Sequence, residues 1–596
     1  MRNYQNIHEM IKNTVNQHGD KTAYKWFSSS NQLESVTWKE FYIQLKQVSK
    51  SLMALGIQKG NKITILSYTS YNWVLIDLAS VSIGACTVGI YHSLPVHDCQ
   101  YIINHSDSVI AFVQNEKQLQ KLLQIRDEIP HVQKVILFNK DSSHEDKWIL
   151  NFEEFLKLGN DISDSEFNNQ TNEITPQDPA CIAYTSGTTG IPKGVVLTHD
   201  NITFTSQSAR ECIDIRQDEN TFLFLPLAHT FARLCVYVTL LEGSSQTFSR
   251  SMETVSEDIK ASKPHWFASV PRVYEKIYSS VVNQAESKGG LALKIFRWSL
   301  KIGQKISQKK LKGKRIPLGT SLKYKLASKL VFNKIHQALG SQVRWCISGA
   351  APLNPFIAKF FHAADILILE GIGMTENTSF TNVNRYDNYR FGWVGLPGPG
   401  IKQKISKENE ILYQGRNVMK EYYKMPEETA EVISDDGWLH TGDLGETDDQ
   451  GFLKVTGRKK EMIITSGGKN IAPALIEGNL MTSRYINQVC AIGDQRKFLT
   501  ALITLDKENI MKFAGKNSIP YEKYEDLLKN KKITHLIGSE VNKKNRDFAS
   551  YESVKNFQIV PEFTIENGLL TPTLKPKRNK VFDKYENEIE SMYASG

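Results

Sequence analysis

The sequence predicts an α/β protein: a large N-terminal domain of several sheets, with parallel strands and helices on both faces, followed by a small α+β domain. Three observations carry this. From Val36 onward, short β-rich runs alternate with helical stretches, the rhythm of βαβ units. After about Gly457 that rhythm gives way to brief strands, a glycine turn and a tail rich in Lys and Glu. A chain of 596 residues suggests several structural units and can bury a large core.

The elements follow in order. VTWKEFYIQLKQVSKSLMALG (36–56) has apolar residues at helical spacing and stops at Gly56, a C-cap. KITILSY (62–68) is a strand, NWVLIDLASVSIGA (72–85) a buried helix and CTVGIY (86–91) the next strand. SVIAFV (108–113), VQKVILF (132–138), TFLFLPL (221–227), HWFASV (265–270), VRWCIS (343–348) and ILILEG (366–371) read as further strands. Segment 165–178 is the most loop-like. KEMIITSGGKNIAPALIEGNL (460–480) reads as strand, glycine turn and helix, and INQVCAIGD (486–494) and LTALITLD (499–506) as strands. The predicted domains are 1–457 and 458–596, joined through GRKK, with no internal repeat.

Composition is that of a globular protein, 40% hydrophobic and 23% charged, which excludes collagen-like and wholly disordered readings. None of the seven cysteines forms a C-x-x-C pair, so neither a zinc site nor a disulfide framework is indicated, and a reduced, cytoplasmic compartment fits best. The N-terminus has no apolar core of signal-peptide type, and no run of 18 apolar residues predicts a membrane span. The net charge of +9 is unevenly placed: 14 Lys or Arg and no Asp or Glu lie between Lys288 and Lys334, so the rest of the chain is net negative, about −5 by subtraction. No nucleic-acid-binding module is recognisable.

YTSGTTGIPKG (184–194) packs glycines, hydroxyl residues and one lysine behind the apolar run PACIA. Unobstructed backbone N–H groups, hydroxyls and Lys193 are what phosphate oxygens require. A Walker A loop does not fit, because Pro192 precedes the lysine and Gly194 follows it. Taken alone, the stretch is either a phosphate loop or a flexible turn.

Five further motifs decide between these. SGAAPL (348–353), EGIGMTEN (370–377), GWLHTGDLGE (437–446), GRKKEMIITSGGKNIAP (457–473) and LTPTLKPKR (570–578) follow in that order. With the glycine-rich loop they resemble the motif set of the adenylate-forming enzymes: acyl-CoA synthetases, adenylation domains of peptide synthetases, and luciferases. The resemblance runs from about residue 20 to 583. LPLAHTFAR (225–233), SVPRVYEKIY (269–278) and LTPTLK are similar to bacterial long-chain fatty acyl-CoA synthetases, as is the basic insertion before VRWCISGAAPL.

The resemblance implies activation of a fatty acid by ATP to acyl-AMP, then transfer to coenzyme A, with a C-terminal domain that swings between the two steps. Thr185, Ser186, Gly187, Thr188, Thr189, Gly190 and Lys193 would cradle the phosphates. Glu376, with Thr185 as partner, would hold Mg2+, which suits oxygen ligands, and Thr375 would reach the α-phosphate. Gly349, Ala350 and Ala351 match the adenine-side loop, and Glu370, Gly371, Ile372, Gly373 and Met374 the next motif. Asp443 would hold the ribose, Arg458 a ribose or phosphate oxygen, and Lys460 would be the hinge. Gly467 and Gly468 would line the pantetheine channel, and His229 would meet the acyl carboxylate. Lys575 would be the catalytic lysine, bridging the attacking carboxylate and the α-phosphate where negative charge builds; Lys577 is its rival.

Two departures stand out. Ile372 replaces the family's usual tyrosine on the adenine face, and Pro576 directly follows Lys575. Other readings stay open. One is a fatty acyl-AMP ligase serving a carrier protein, against which the uninterrupted GFLKVTGRKKEMIITSGGKN argues. Another is an inactive lipid-binding scaffold, against which the presence of Lys575 and Glu376 argues. The basic stretch 291–332 reads as two helices about Pro317, with Leu291, Leu293, Ile295, Phe296, Trp298 and Leu300 among lysines. It is a membrane-surface element with Phe296 and Trp298 in the headgroup layer, a solvated hairpin, or a site for the phosphates of CoA. The resemblance also raises a dimer, since family members sometimes form one.

Overall fold

The computed structural model describes residues 2–138, 144–185, 191–571 and 574–594. Two large sheets dominate the N-terminal part. In one, the strands Pro179–Thr185, Cys86–Ile90, Lys62–Leu66, Ser108–Val113, Lys134–Leu137 and Ile149–Asn151 run parallel. In the other, Leu367–Ile372, Trp345–Ser348, Trp266–Ser269, Asn220–Leu223, Ser245–Phe248 and Thr22–Phe27 do the same. Every predicted strand of this part is present, each end lying within four residues of its predicted place. The antiparallel edges were not foreseen: Leu33–Thr37, Asn382–Val383 and Leu396–Pro397 on one sheet, Lys193–Thr198 and Glu421–Tyr422 on the other.

Helices fill the space between and around the sheets. Trp38–Ala54 starts on a capping box of Thr37 and Glu40 and buries Trp38, Phe41, Leu45, Val48 and Leu52 on one face. Gly56 lies just past its end at φ +82. The segment expected to be loop is instead opened by the helix Asp164–Asn172. Ser163 and Glu166 form its capping box, and Phe167 and Thr171, four apart, face inward. The capping signal was in the sequence, but polar Asn and Gln hid it.

A four-stranded antiparallel sheet over Lys402–Arg458 follows, with Ile411, Tyr413 and Leu453 buried in the N-terminal core. The C-terminal part carries the short pair Ile463–Ile464 and Asn470–Ile471 and a three-stranded sheet of Ile486–Ile492, Leu499–Leu505 and Val554–Ile559. Its apolar clusters are separate from the N-terminal cores. The helix Pro271–Lys288 meets it: Asn283 Nδ2 donates to Asn509 at 3.0 Å, Arg484 pairs with Glu286, and Arg272 donates to Asn487. All seven cysteines are free and buried, and burial raises every thiol pKa. No helix among the described residues is long and apolar enough to cross a membrane.

The basic insertion is two helices, Gly290–Leu311 and Leu318–Ala327, broken at Pro317 as the sequence predicts. Phe296 is buried and Trp298 packs partly buried against the core, so neither is free for a headgroup layer. The reason is close packing: a Cβ at Gly303 would lie 2.5 Å from the Ala363 carbonyl oxygen, so the helix seats directly on Pro355–Ala363.

Candidate active site

The glycine-rich loop turns between antiparallel strands. Thr185 ends one, and Lys193, its ladder partner, begins the return. A Walker loop feeds a helix, whereas this one is a hairpin, which explains the mismatch in spacing. Ser186, Gly187, Thr188, Thr189 and Gly190 lie outside the described residues. The flank of the loop is braced: the Tyr101 hydroxyl donates to the Pro192 carbonyl at 3.1 Å, and His105 Nδ1 lies 2.7 Å from the Tyr184 hydroxyl.

The short strand Glu421–Tyr422 pairs with Val195 and Val196 and so brings Tyr422 beside the lysine. Lys193 Nζ stands 5.1 Å over the Tyr422 ring, and the Tyr422 hydroxyl donates to Glu376 Oε1 at 2.8 Å. Tyr422 was missed at sequence level; "EYYK" has no motif, and only the strand pairing reveals it. Glu376 is 8% exposed, and desolvation raises its pKa, partly offset by the tyrosine. Thr375 beside it is buried.

The loop holding Glu376 is tightly fixed. Thr378 and Ser379 take left-handed φ of 58° and 59°, a strained pair for residues with a Cβ. Ser379 N donates to the Met374 carbonyl at 2.8 Å, and Met374 N to Asn377 Oδ1 at 2.8 Å. Gly373 is required sterically, since a Cβ there would fall 2.1 Å from the Ser379 carbonyl carbon. Glu370 accepts from Gly392 N at 2.9 Å, and burial pushes its pKa up to about 8.

Asp443 and Arg458 are paired across neighbouring antiparallel strands, with Arg458 Nε donating to Asp443 Oδ1 at 2.7 Å. Arg458 remains 44% exposed, and Asp443 raises its pKa. Lys575 lies within electrostatic reach of this pair. Solvent still reaches its side chain, yet desolvation lowers its pKa, with Arg458 adding to the effect and Glu461 and Asp443 opposing it. Its charge is also felt by His229. Pro576 fits well: it bridges to Leu570, while Thr571 N donates to the Lys575 carbonyl at 2.8 Å. Arg578 anchors the base of this turn on Glu477 at 2.7 and 2.8 Å.

His229 caps the helix Thr230–Glu242, its Nδ1 accepting from Phe231 N at 3.1 Å. Desolvation first and Lys575 second lower its pKa to about 4, so the ring is neutral near pH 7 with its proton on Nε2. It stands at an apolar cavity lined by Ala209, Ile213, Leu234, Val238, Trp266 and Phe380. Gly349, Ala350, Gly371, Ile372 and Gly373 also line it, and Ala350 holds φ +67. His229 and Val238, nine helical steps or about 14 Å apart along that helix, both line it. Ala351 is exposed, as are Lys460, Gly467 and Gly468; the last two sit in the turn between Ile463–Ile464 and Asn470–Ile471.

Lys193 and Glu376 are thus linked through Tyr422, and Arg458, paired with Asp443, acts electrostatically on both Glu376 and Lys575. Residues 11–423 match the family described as AMP-binding enzyme, and residues 460–596 match the AMP-binding enzyme C-terminal domain. The chain belongs to the AMP-binding enzymes. Among its relatives is the long-chain-fatty-acid–CoA ligase ACSBG2 of Xenopus laevis, 31% identical over 98% of this chain and 83% of the relative. Another is the long-chain-fatty-acid–CoA ligase FadD15 of Mycobacterium tuberculosis, 31% identical over 94% of this chain and 92% of the relative. The fold matches that of the anthranilate CoA ligase AuaEII in complex with anthranoyl-AMP, with TM-score 0.73 and 20% identity over 99% of both chains. It also matches the A domain of carboxylic acid reductase from Segniliparus rugosus, solved with AMP and a co-purified carboxylic acid, with TM-score 0.78 and 19% identity over 100% of this chain and 95% of that one.

Proposed function

We propose that the protein is a long-chain fatty acid–CoA ligase. A carboxylate oxygen of the acid attacks the α-phosphorus of ATP, the bond to the bridging oxygen breaks, and pyrophosphate leaves. The thiol sulfur of coenzyme A then attacks the acyl carbonyl, the carbon–oxygen bond to phosphate breaks, and AMP leaves. The observation that carries this reading is that Lys575 is coupled by charge both to the Asp443–Arg458 pair and to His229, which lines an apolar cavity.

In this mechanism no side chain acts as nucleophile; the protein positions reactants and neutralises charge. The apolar cavity holds the acyl tail. His229 presents Nε2–H to the carboxylate, which is already deprotonated at neutral pH. Thr185 and Lys193 flank the phosphates, Thr375 reaches the α-phosphate, Asp443 accepts from the ribose hydroxyls, and Lys575 stabilises charge developing between carboxylate and phosphorus. Glu376 fits a magnesium ion: it is a buried carboxylate beside the phosphate loop with a single tyrosine donor in its company. Magnesium commonly takes one or two carboxylates together with substrate phosphates, and when bound it supplies charge neutralisation there. The boundary near residue 457, the hinge at Lys460 and the channel role of Gly467 and Gly468 are parts of the same proposal. Pyrophosphate release across C2 to C20 acids, with and without CoA, tests it. Release that saturates at acyl-AMP and gains no turnover from CoA would favour an acyl-AMP ligase.

The cavity also suggests what limits chain length. Trp266 is stacked on Trp345, ring centroids 5.0 Å apart at 13°, and its indole Nε1 has no acceptor among the described residues. Packing alone holds it, so Trp266→Leu strands no polar partner. That change opens room for about two methylenes, each contributing about 0.8 kcal/mol when buried. The kcat/KM ratio for the acid two carbons longer, relative to the wild-type optimum, should rise roughly tenfold. An unchanged chain-length profile in a folded variant would place the limit elsewhere.

Ile372 gives a second expected result. If adenine lies against it, Ile372→Tyr adds stacking of about 0.5–1.5 kcal/mol, and KM for ATP falls roughly threefold to tenfold. An unchanged KM for ATP, with a raised KM for the acid, would show that residue 372 faces only the acyl cavity it lines.

A further inference from the structure

The sequence singled out a basic insertion that the catalytic reading leaves unused, and its second helix has an unusual outer face. Leu318–Ala327 and the turns that follow pack inward through Ala327, Phe332 and Ile335, all buried, and the Tyr324 hydroxyl donates to the Ala363 carbonyl at 3.2 Å. Outward, Leu318 is 85% exposed, Leu322 67%, Leu326 52% and Leu330 39%. These leucines are spaced by four, so they form one ridge about 18 Å long. Lys323, Lys325 and Lys329 stand exposed among them. At the hairpin tip, Leu311 and Ile316 are also exposed, with Lys312, Lys314 and Arg315 around them.

The charge of this region is uncompensated. No acid occurs between Lys288 and Lys334. Of its 14 cations, Lys310 alone forms an ion pair among the described residues, with Asp365 at 2.5 Å. A hairpin meant only for water has no use for a row of exposed leucines, and a site for the phosphates of CoA has none either. Apolar ridge and unpaired cations together match a surface with hydrocarbon beneath an anionic layer.

We propose that this ridge docks the protein peripherally on an anionic lipid bilayer, Leu318, Leu322, Leu326 and Leu330 entering the acyl boundary while Lys323, Lys325 and Lys329 pair with headgroup phosphates. The ridge replaces Phe296 and Trp298 as the inserting element. The proposal stands independently of the catalytic one, and a long-chain acid, which itself partitions into bilayers, is the substrate that gains from it.

The test is sedimentation of the full-length protein with vesicles of phosphatidylcholine alone or mixed with phosphatidylglycerol. Binding is expected on the anionic vesicles, little on the neutral ones, with release by about 0.5 M salt, where screening is short-ranged. The double variant Leu322→Ser, Leu326→Ser should bind at least about tenfold more weakly, while keeping wild-type kcat on detergent-dispersed acid. A probe on Leu318→Cys, selective because the native thiols are all buried, should shift to the blue on anionic vesicles. Failure of the wild type to sediment at low salt overturns the proposal, and so does wild-type binding by the leucine variant. Should Lys323→Glu, Lys325→Glu, Lys329→Glu bind lipid normally but show a raised KM for CoA, the insertion serves the phosphates of CoA instead.

Discussion

Lys575→Ala is expected to slow acyl-AMP formation roughly 10²–10³-fold, the range produced by removing one preorganised group that stabilises transition-state charge. Thioester formation from supplied acyl-AMP should stay within about threefold of wild type, because in the proposed second step the C-terminal domain has turned and bond making no longer concerns the α-phosphorus. The structure gives the physical ground for choosing this lysine. Its charge interacts with those of Asp443 and Arg458, and it is the lysine whose charge His229 feels. Lys577→Ala is the matching control and should lose little. Separate pyrophosphate and thioester assays decide the matter; a Lys575→Ala protein forming acyl-AMP at the wild-type rate would falsify the assignment.

Glu376→Gln should cost about 10²-fold or more in the same first step and raise the Mg2+ concentration needed for half-maximal rate, since the amide cannot ligate a hard cation as the carboxylate does. Stability should move the other way. A carboxyl whose pKa is raised on folding loses stability as pH climbs above its unfolded pKa, and Glu376 is raised by desolvation. At pH 7 the neutral amide escapes that penalty and can still accept from the Tyr422 hydroxyl. The variant's Tm should therefore equal or exceed that of the wild type without magnesium. A variant that is both inactive and markedly less stable would mean that Glu376 holds the loop together rather than the metal.

The parallel strands were legible because each is a short apolar run, buried on both faces, bounded by turn residues. The motif-bearing loops were legible because their residue types follow from the chemistry. What escaped was whatever depends on a partner far along the chain. Glu421–Tyr422 is only two residues long and is a strand solely because Val195 and Val196 lie beside it. The outer leucines of Leu318–Ala327 have the spacing of a core face, and only the packing of Ala327, Phe332 and Ile335 shows that they point away from the core. Phe296 looked available for the converse reason: an aromatic among lysines gives no hint that Gly303 lets its helix settle against Ala363.

The burial of every cysteine has a chemical consequence for an enzyme of this kind. An acyl adenylate is a mixed anhydride, an acylating agent toward any thiolate it meets. Cys235 lines the very cavity that would hold the acyl tail, and burial pushes its pKa up to about 12, so almost none of it is thiolate at neutral pH. The remaining six thiols are buried and held protonated in the same way. Self-acylation and mixed disulfides with the incoming cosubstrate are both suppressed by the same burial, which leaves the sulfur of that cosubstrate as the nucleophile the activated acyl group encounters.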